Sequence, residues 1–381
     1  MQITSKLPHV GTTIFTVMSQ LAMQHKAVNL GQGFPDFDGP PLLREALTRA
    51  MAEGKNQYAP MTGIPQLREQ IAAKALRCYG RKVNPDSEIT VTSGATEALF
   101  CAISALVHPG EEVILLDPCY DCYEPAVHLA GAHAVHVPLK LPSFAVDWQR
   151  VRDAVTPRTR MILINSPHNP SGAVLEAADL DALAQIVRDT RIIVLSDEVY
   201  EHIIFDGREH ASVLRHEELA ARSFVVSSFG KTYHCTGWKV GYCIAPPALS
   251  AEFRKVHQYV TFCTFGPAQW ALAEVLEKDP QHDIDLPRFY QDKRDRFASL
   301  LGDTRFELLP VAGAYFQIAA YGEISDRDDL SFCEWLVRER GVAAIPVSAF
   351  YDSPPEMQLI RFCFAKTDHT LQAAAQRLAG I

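Results

Sequence analysis

Glu88-Ile-Thr-Val-Thr-Ser-Gly-Ala-Thr-Glu97 runs a short β-branched stretch into a glycine turn, and a helical pattern follows over Thr96–Val107. Working outward, the same order of strand, turn and helix returns. Further β-branched runs stand at Glu112–Leu116, Met161–Ile164, Arg191–Leu195, Ser223–Ser227 and Val240–Ala245, with another helical pattern at Ala177–Arg188. The runs are almost continuously apolar, as strands covered on both faces must be. Such alternation predicts an α/β fold, a mostly parallel sheet between two layers of helices.

The rhythm changes after about Pro280. A polar segment, Asp279–Pro287, leads into helix-like Arg288–Leu301. Strand candidates follow at Ala314–Ala319 and Leu359–Phe364, with helical patterns at Leu330–Arg340 and His369–Leu378. These predict a smaller α+β domain. Residues 1–40, rich in Gly and Pro, predict an arm, giving a division into an arm (1–40), a large domain (41–280) and a small domain (281–381).

Composition narrows the function. The charge, 36 − 45 = −9, offers no basic excess for nucleic acid. Apolar runs stay below the roughly 18 residues that a membrane span needs. Met1-Gln-Ile-Thr-Ser-Lys-Leu-Pro8 lacks the basic-then-apolar order of a signal peptide. Nine scattered cysteines read as reduced thiols, and the lone Cys119-Tyr-Asp-Cys122 has no second pair with which to build a zinc site. The expectation is a cytoplasmic protein without a metal.

In open α/β sheets, ligands gather beyond the carboxyl ends of the strands, and four polar clusters stand there. Thr92-Ser-Gly94-Ala95-Thr96 offers backbone N–H groups at a helix start to a phosphate, although an ordinary N-cap reads the same. Asn165-Ser-Pro-His-Asn169-Pro-Ser-Gly172 holds an amide in a proline-restricted turn, which could also be a plain connection. Ser196-Asp197-Glu198-Val-Tyr200 brings a carboxylate to the end of a buried strand, where it is costly unless it meets a cation. Metal binding by Asp197 with Glu198 is disfavoured, because neighbours on an extended chain point apart. The fourth cluster, Ser227-Ser228-Phe-Gly-Lys231-Thr, carries the G-K-T of a P-loop, but Val225 stands where that loop needs its first glycine. A lysine beside Ser228, with Lys239 eight residues on, instead suits a Schiff-base amine with a separate phosphate clamp. Gly31-Gln-Gly33 begins like a dinucleotide fingerprint but lacks the third glycine and the strand-to-helix context.

Taken together, S-G-A-T, N-x-P-H-N-P-S-G, S-D-E-V-Y, S-F-G-K-T and G-W-K-V-G-Y resemble the class I and II aminotransferases of fold type I, from about Thr12 to the C-terminus. Asn29–Phe37 and Gln57–Gly63 look most like methionine and kynurenine aminotransferases, and Leu359–Lys366 most like the bacterial methionine aminotransferases. The resemblance implies a seven-stranded, mostly parallel sheet in the large domain, pyridoxal 5'-phosphate as cofactor, and a homodimer with shared sites. By position, Lys231 would bind the cofactor covalently, Asp197 would hold its ring nitrogen, and Asn169 and Tyr200 would reach its phenolic oxygen. Tyr120 would stack on the ring. Gly94, Ala95, Thr96, Ser228 and Lys239 would bind phosphate, with Tyr58 of the partner subunit. Arg361, helped by Gly33, Asn169 and Phe15, would take the substrate. Ile14, Tyr259, Phe262 and Tyr315 are further pocket candidates, with packing as the alternative. Lys239 stands where aspartate aminotransferases carry arginine, which argues against a dicarboxylate specialist. The activity implied is transfer of the amino group of methionine and aromatic amino acids to a 2-oxo acid. Kynurenine transamination and cysteine-conjugate β-lysis are the alternatives on the same scaffold. A ligand-sensing regulator would need a DNA-binding segment, and no basic helix-turn-helix precedes residue 12.

Overall fold

The computed structural model describes residues 3–381. Its strands in chain order are β1 (Val28–Asn29), β2 (Ile89–Thr92), β3 (Glu112–Asp117), β4 (His133–Pro138), β5 (Thr159–Asn165), β6 (Ile193–Asp197), β7 (Ser223–Ser228), β8 (Gly241–Ile244), β9 (Glu307–Leu308), β10 (Phe316–Ala320), β11 (Val342–Ala343), β12 (Ile345–Pro346) and β13 (Leu359–Cys363). Seven form one sheet in the order β2-β8-β7-β6-β5-β3-β4, parallel except for β8, which runs against both neighbours.

Side chains alternate across this sheet, and both faces are covered. Val113 and Leu115 pack with Ala98, Ala102 and Phe253, from helices Ala95–Leu106 and Pro247–Val260. Ile114 and Leu116 belong to the opposite core, with Leu67, Ile71, Leu183 and Leu272 of helices Pro65–Tyr79, Ala177–Val187 and Gly266–Lys278. Burial on both sides explains why six strands read as apolar runs. The seventh, β4, does not. It is an edge strand, His133-Ala-Val-His-Val-Pro138, and mostly half-exposed, so its polar residues hide it among loops.

A second core gathers the C-terminal third around a four-stranded antiparallel sheet, β12-β13-β10-β9. Gly- and Pro-rich as it is, the first stretch is not all extended arm. Ile14–Gln24 is a helix, capped by the Thr13 hydroxyl, and buries Met18 and Ala22 in this second core. β1 then pairs with β11. The polar segment expected before Arg288 is helical too, since one helix runs Gln281–Leu300 around Pro287. Proline there removes one internal hydrogen bond without ending the helix. The helix Asp329–Trp335 passes into a π turn at Leu336–Arg340.

Strand order reverses at β3. The chain goes outward to β4, then returns to lay β5, β6 and β7 on the other side. Crevices form where the following loops diverge. Here those loops carry Tyr120, Asn169 and Tyr200.

Candidate active site

Asp197 ends β6 and is almost fully buried. Tyr123 donates its hydroxyl to Asp197 Oδ2 at 2.7 Å, and the Val199 N–H donates to Oδ1 at 3.2 Å. Burial still pushes the carboxyl up to about 6, against these bonds and the pull of Lys231. Glu198 turns to the other side, accepting from Ser196 Oγ at 2.8 Å and Val213 N at 3.1 Å and pairing with His210 Nε2 at 2.8 Å. The two neighbouring carboxylates therefore share no ligand.

Lys231 sits in a one-turn helix, Phe229–Thr232, capped by Ser228. Nζ donates to the Tyr315 hydroxyl at 3.0 Å and to Gly33 O at 3.3 Å, while Tyr315 donates to the same carbonyl at 2.7 Å. Nζ also lies 5.4 Å above the Tyr200 ring. Burial, joined by the positive Lys239 and Arg361, draws the amine down to about 8. A fraction of it is therefore neutral at neutral pH.

Ala95 and Thr96 open the helix Ala95–Leu106, so their N–H groups have no acceptor within it. Gly94 precedes them at φ +80°, and a Cβ there would lie 3.2 Å from Lys239 Nζ. Gly241 is needed as well, since a Cβ would sit 2.9 Å from the Ala95 nitrogen and 2.7 Å from Ser227 O. The missing side chains leave a helix start, a serine and a lysine on one turn, an anion cradle in its donor set.

Arg361, 1% exposed, projects from the centre of β13. Its Nη1 donates to Asn169 Oδ1 at 2.7 Å and its Nη2 to Gly31 O at 2.8 Å, whereas Nε has no partner. The Phe316, Phe350 and Phe15 ring centroids lie 4.0, 5.2 and 5.3 Å from the guanidinium carbon. Among the described residues no carboxylate pairs with it. A buried guanidinium answered only by neutral acceptors is arranged to receive an anion.

These groups border one cavity of about 320 Å³. Thirteen of the fourteen residues expected at the site line it: Phe15 and Gly33 from the arm, Gly94, Ala95 and Thr96, then Tyr120, Asn169, Asp197, Tyr200, Ser228, Lys231, Lys239 and Arg361. Tyr58 does not. It is 85% exposed, with its ring edge-on to Phe262 at 5.6 Å. Tyr259 and Phe262 also lie outside the wall and exposed, whereas Tyr315 is fully buried beside Lys231. Sequence reasoning missed Tyr123, whose hydroxyl orients Asp197, and Gln32, Phe34, Thr236 and Phe316 in the wall. Tyr123, three residues after Tyr120 in the same strand-end loop, was the findable one. Cys119 and Cys122 do not line the cavity; Cys119 lies with Asp117 and His136, a group that does not include Cys122.

Pyridoxal phosphate, the cofactor that the sequence motifs imply, fits this donor set. A buried carboxylate without a cation suits its ring nitrogen, a depressed lysine its aldehyde, and the helix start with Ser228 and Lys239 its phosphate.

Known proteins agree with the geometry. The family model for aminotransferase class I and II matches residues 25–378. The chain is 55% identical to methionine aminotransferase from Escherichia coli, over 98% of this chain and 97% of that protein. The solved structure of YbdL from Escherichia coli, assigned a methionine aminotransferase function, superposes with a TM-score of 0.98 at 54% identity, covering 100% of both chains. N-succinyldiaminopimelate aminotransferase from Mycobacterium tuberculosis follows at a TM-score of 0.96 and 44% identity, over 99% of each chain. Mouse kynurenine–oxoglutarate transaminase 1 is 34% identical over 94% of this chain and 93% of its own. The similarity runs over the whole chain that builds this cavity, and the chain belongs to the class I and II aminotransferases, enzymes that work with pyridoxal phosphate.

Proposed function

We propose that this aminotransferase takes methionine and aromatic amino acids as amino donors and passes the amino group to a 2-oxo acid. The observation that carries this reading is the distribution of positive charge in the cavity. Three cations line it, Lys231, Lys239 and Arg361. Lys239 stands with the phosphate turn, Lys231 with the chemistry, and Arg361 is the group for the α-carboxylate. None remains for a carboxylate on the side chain, which would lose its hydration there without compensation. Phe15, Phe34, Leu99, Tyr120 and Phe316 instead offer apolar surface. Similarity to the methionine enzyme supports the same choice.

Bound pyridoxal phosphate supplies the electron sink for the pair left when the Cα–H bond breaks. Lys231 would hold the cofactor through Nζ, Asp197 would keep its ring nitrogen protonated, and Asn169 and Tyr200 would bond its phenolic oxygen. Ala95, Thr96, Ser228 and Lys239 would hold the phosphate. Arg361 orients the substrate by two parallel hydrogen bonds to its carboxylate. The Lys231 amine, neutral in part because it is drawn to about 8, takes the proton from Cα. Phe15, Phe316 and Phe350 exclude water from the arginine.

The same reading includes a homodimer in which Tyr58 of the partner subunit completes each phosphate site. Tyr58, Tyr259, Val260, Phe262 and Phe265 are all exposed, an aromatic surface of the kind that marks an interface. We also place the division between large and small domains near residue 280, and the enzyme in the cytoplasm, in keeping with nine free cysteines. The test assays methionine, phenylalanine, aspartate and alanine side by side with one oxo acid. Each buried methylene is worth about 0.8 kcal/mol, so methionine should exceed alanine by well over tenfold in kcat/KM. Aspartate as the best donor would overturn the apolar pocket.

A further inference from the structure

Helix Pro247–Val260 carries a histidine with no part in the cavity. His257 is completely buried, its Nδ1 2.5 Å from Glu97 Oε1 and its Nε2 2.8 Å from Met61 O. Met61 O can only accept, so Nε2 carries a proton toward it, and the Nδ1–Oε1 contact shares one further proton between the imidazole and the carboxyl group. Glu97 is buried in turn, and its other oxygen accepts the Ser93 N–H at 2.5 Å. Ser93 immediately precedes Gly94 and the phosphate turn. Met61 lies three residues after Tyr58, on the segment whose exposed face bears the aromatic surface. One buried chain of hydrogen bonds therefore runs from the turn of this subunit's own cofactor site to the loop it would lend to its neighbour.

Two further links brace the same span. Val91 N, on the strand leading to the turn, donates to Thr62 O at 3.0 Å. Gln269 accepts from Ile64 N at 2.9 Å and donates to Thr264 O at 2.8 Å, and Thr264 Oγ1 stands 3.0 Å from Ser93 Oγ. Gly63 packs so closely on Val91 that a Cβ would come within 2.3 Å of it. Residues 61–64 are thus tied to β2 and to the phosphate turn. Only the Glu97–His257 link joins two buried ionisable side chains, and loss of either leaves the other without its hydrogen-bond partner.

We propose that Glu97 and His257 are a positioning pair that couples the two cofactor sites of the dimer, holding each subunit's phosphate turn in register with the Tyr58 loop it extends into the other site. The proposal rests on the shared-site dimer argued above. Its consequence is an effect in trans: disturbing His257 in one subunit weakens the cofactor in the other.

Hybrid dimers separate the two directions. In the first hybrid, one subunit carries Lys231→Ala with His257→Gln, and its partner is unaltered. Only the unaltered subunit can then bind pyridoxal phosphate through lysine, and the altered one contributes only its Tyr58 loop. The readout is the dissociation constant of the lysine-bound cofactor, followed by absorbance, against a hybrid with Lys231→Ala alone. We expect affinity to fall on the order of tenfold, within the usual range for coupled sites. The second hybrid puts His257→Gln in the subunit that retains Lys231 and measures the effect on its own turn. Unchanged affinity in the first hybrid with a loss in the second would overturn the proposal, leaving the pair a support of its own turn alone. Glu97→Gln repeats both arms and stands in if His257→Gln fails to fold. Mass measurement keeps the outcomes apart, since a monomer would remove the dimer reading itself, whereas a stable dimer with no effect in trans removes only the coupling.

Discussion

Lys74 and Lys231 are both drawn out of bulk water, and their surroundings push them in opposite directions. Lys74 lies behind the sheet, sealed between Glu201 and Tyr242 at 2.5 Å from each. Despite the cost of burial, those partners raise its pKa well above that of a free lysine. Glu201, which also accepts hydrogen bonds from Tyr79 and Ser227, is held well below the usual carboxylate range by the same pair. Lys231 borders the cavity and hydrogen-bonds only a hydroxyl and a carbonyl; Asp197 attracts it without pairing, and burial prevails. Burial pulls both lysines down, and only a paired carboxylate with its hydrogen bonds reverses the sign. One lysine is thereby fixed as a structural cation and the other left able to exchange its proton.

The sharpest way to break that contrast is Lys231→Ala. Transamination should fall by at least about 10⁴-fold, since the variant loses both the nucleophile and the proton carrier. Cofactor should still associate through the phosphate turn, while borohydride fixes none of it. Fixation on another lysine of the unaltered enzyme would refute the assignment. In the cofactor-free enzyme, reactivity of the Lys231 amine should rise with a midpoint near pH 8, well below the 10.5 of an ordinary lysine.

Lys74→Met should leave cofactor chemistry in place and strike stability instead. Removing one member of a buried ion pair costs about 3–5 kcal/mol, read as a lowered urea midpoint. Lys74→Met with Glu201→Gln should recover much of this, because the stranded charge is gone. No recovery would mean that lost packing, and not the uncompensated carboxylate, is responsible.

Arg361 is a third buried cation, and it sharpens the comparison because it has neutral partners where Lys74 has a carboxylate. Arg361→Ala should cost every amino-acid substrate about 2–5 kcal/mol in kcat/KM. The absorbance of the bound cofactor should not change. An effect confined to one substrate would mean that Arg361 reads side chains and leaves the common carboxylate to another group.

The division between what the sequence disclosed and what it hid follows the same physics. Asp197 and Lys231 were legible because a charge at the end of an apolar strand has few uses other than a ligand, whereas Arg361 was assigned only through the family resemblance. The central strands were legible because both their faces are covered. β4 was not, since an edge strand with His133 and His136 on it carries no apolar signature. Nor was the helix Ile14–Gln24, whose stability comes from a core assembled hundreds of residues later. Tyr123 and Tyr315 look like ordinary aromatic residues until the fold brings their hydroxyls to Asp197 and Lys231. Tyr58 lies outside the cavity of its own chain, and only the family resemblance assigned it a role. Glu97 and His257, 160 positions apart, had no common motif to join them.

Asp197 provides the smallest expected effect and the plainest evidence that the site is built for its ligand at the expense of the empty chain. Its carboxyl is raised from 3.8 to about 6, so between those values the folded cofactor-free protein binds more protons than the unfolded one. Stability of that form should therefore decline as pH rises from about 4 to about 6, with the penalty complete above the folded pKa. At 1.36 kcal/mol per unit the loss is about 2–3 kcal/mol. Asp197→Asn keeps the shape without the charge, so the cofactor-free variant should be more stable than the parent at pH 7 and level with it near pH 4. Urea melts at the two pH values measure this directly. Bound pyridoxal phosphate should reverse the order, because its ring nitrogen supplies the cation that the carboxylate lacks. A variant less stable than the parent at pH 7 without cofactor would show that Tyr123 and the Val199 N–H already compensate Asp197 for its burial.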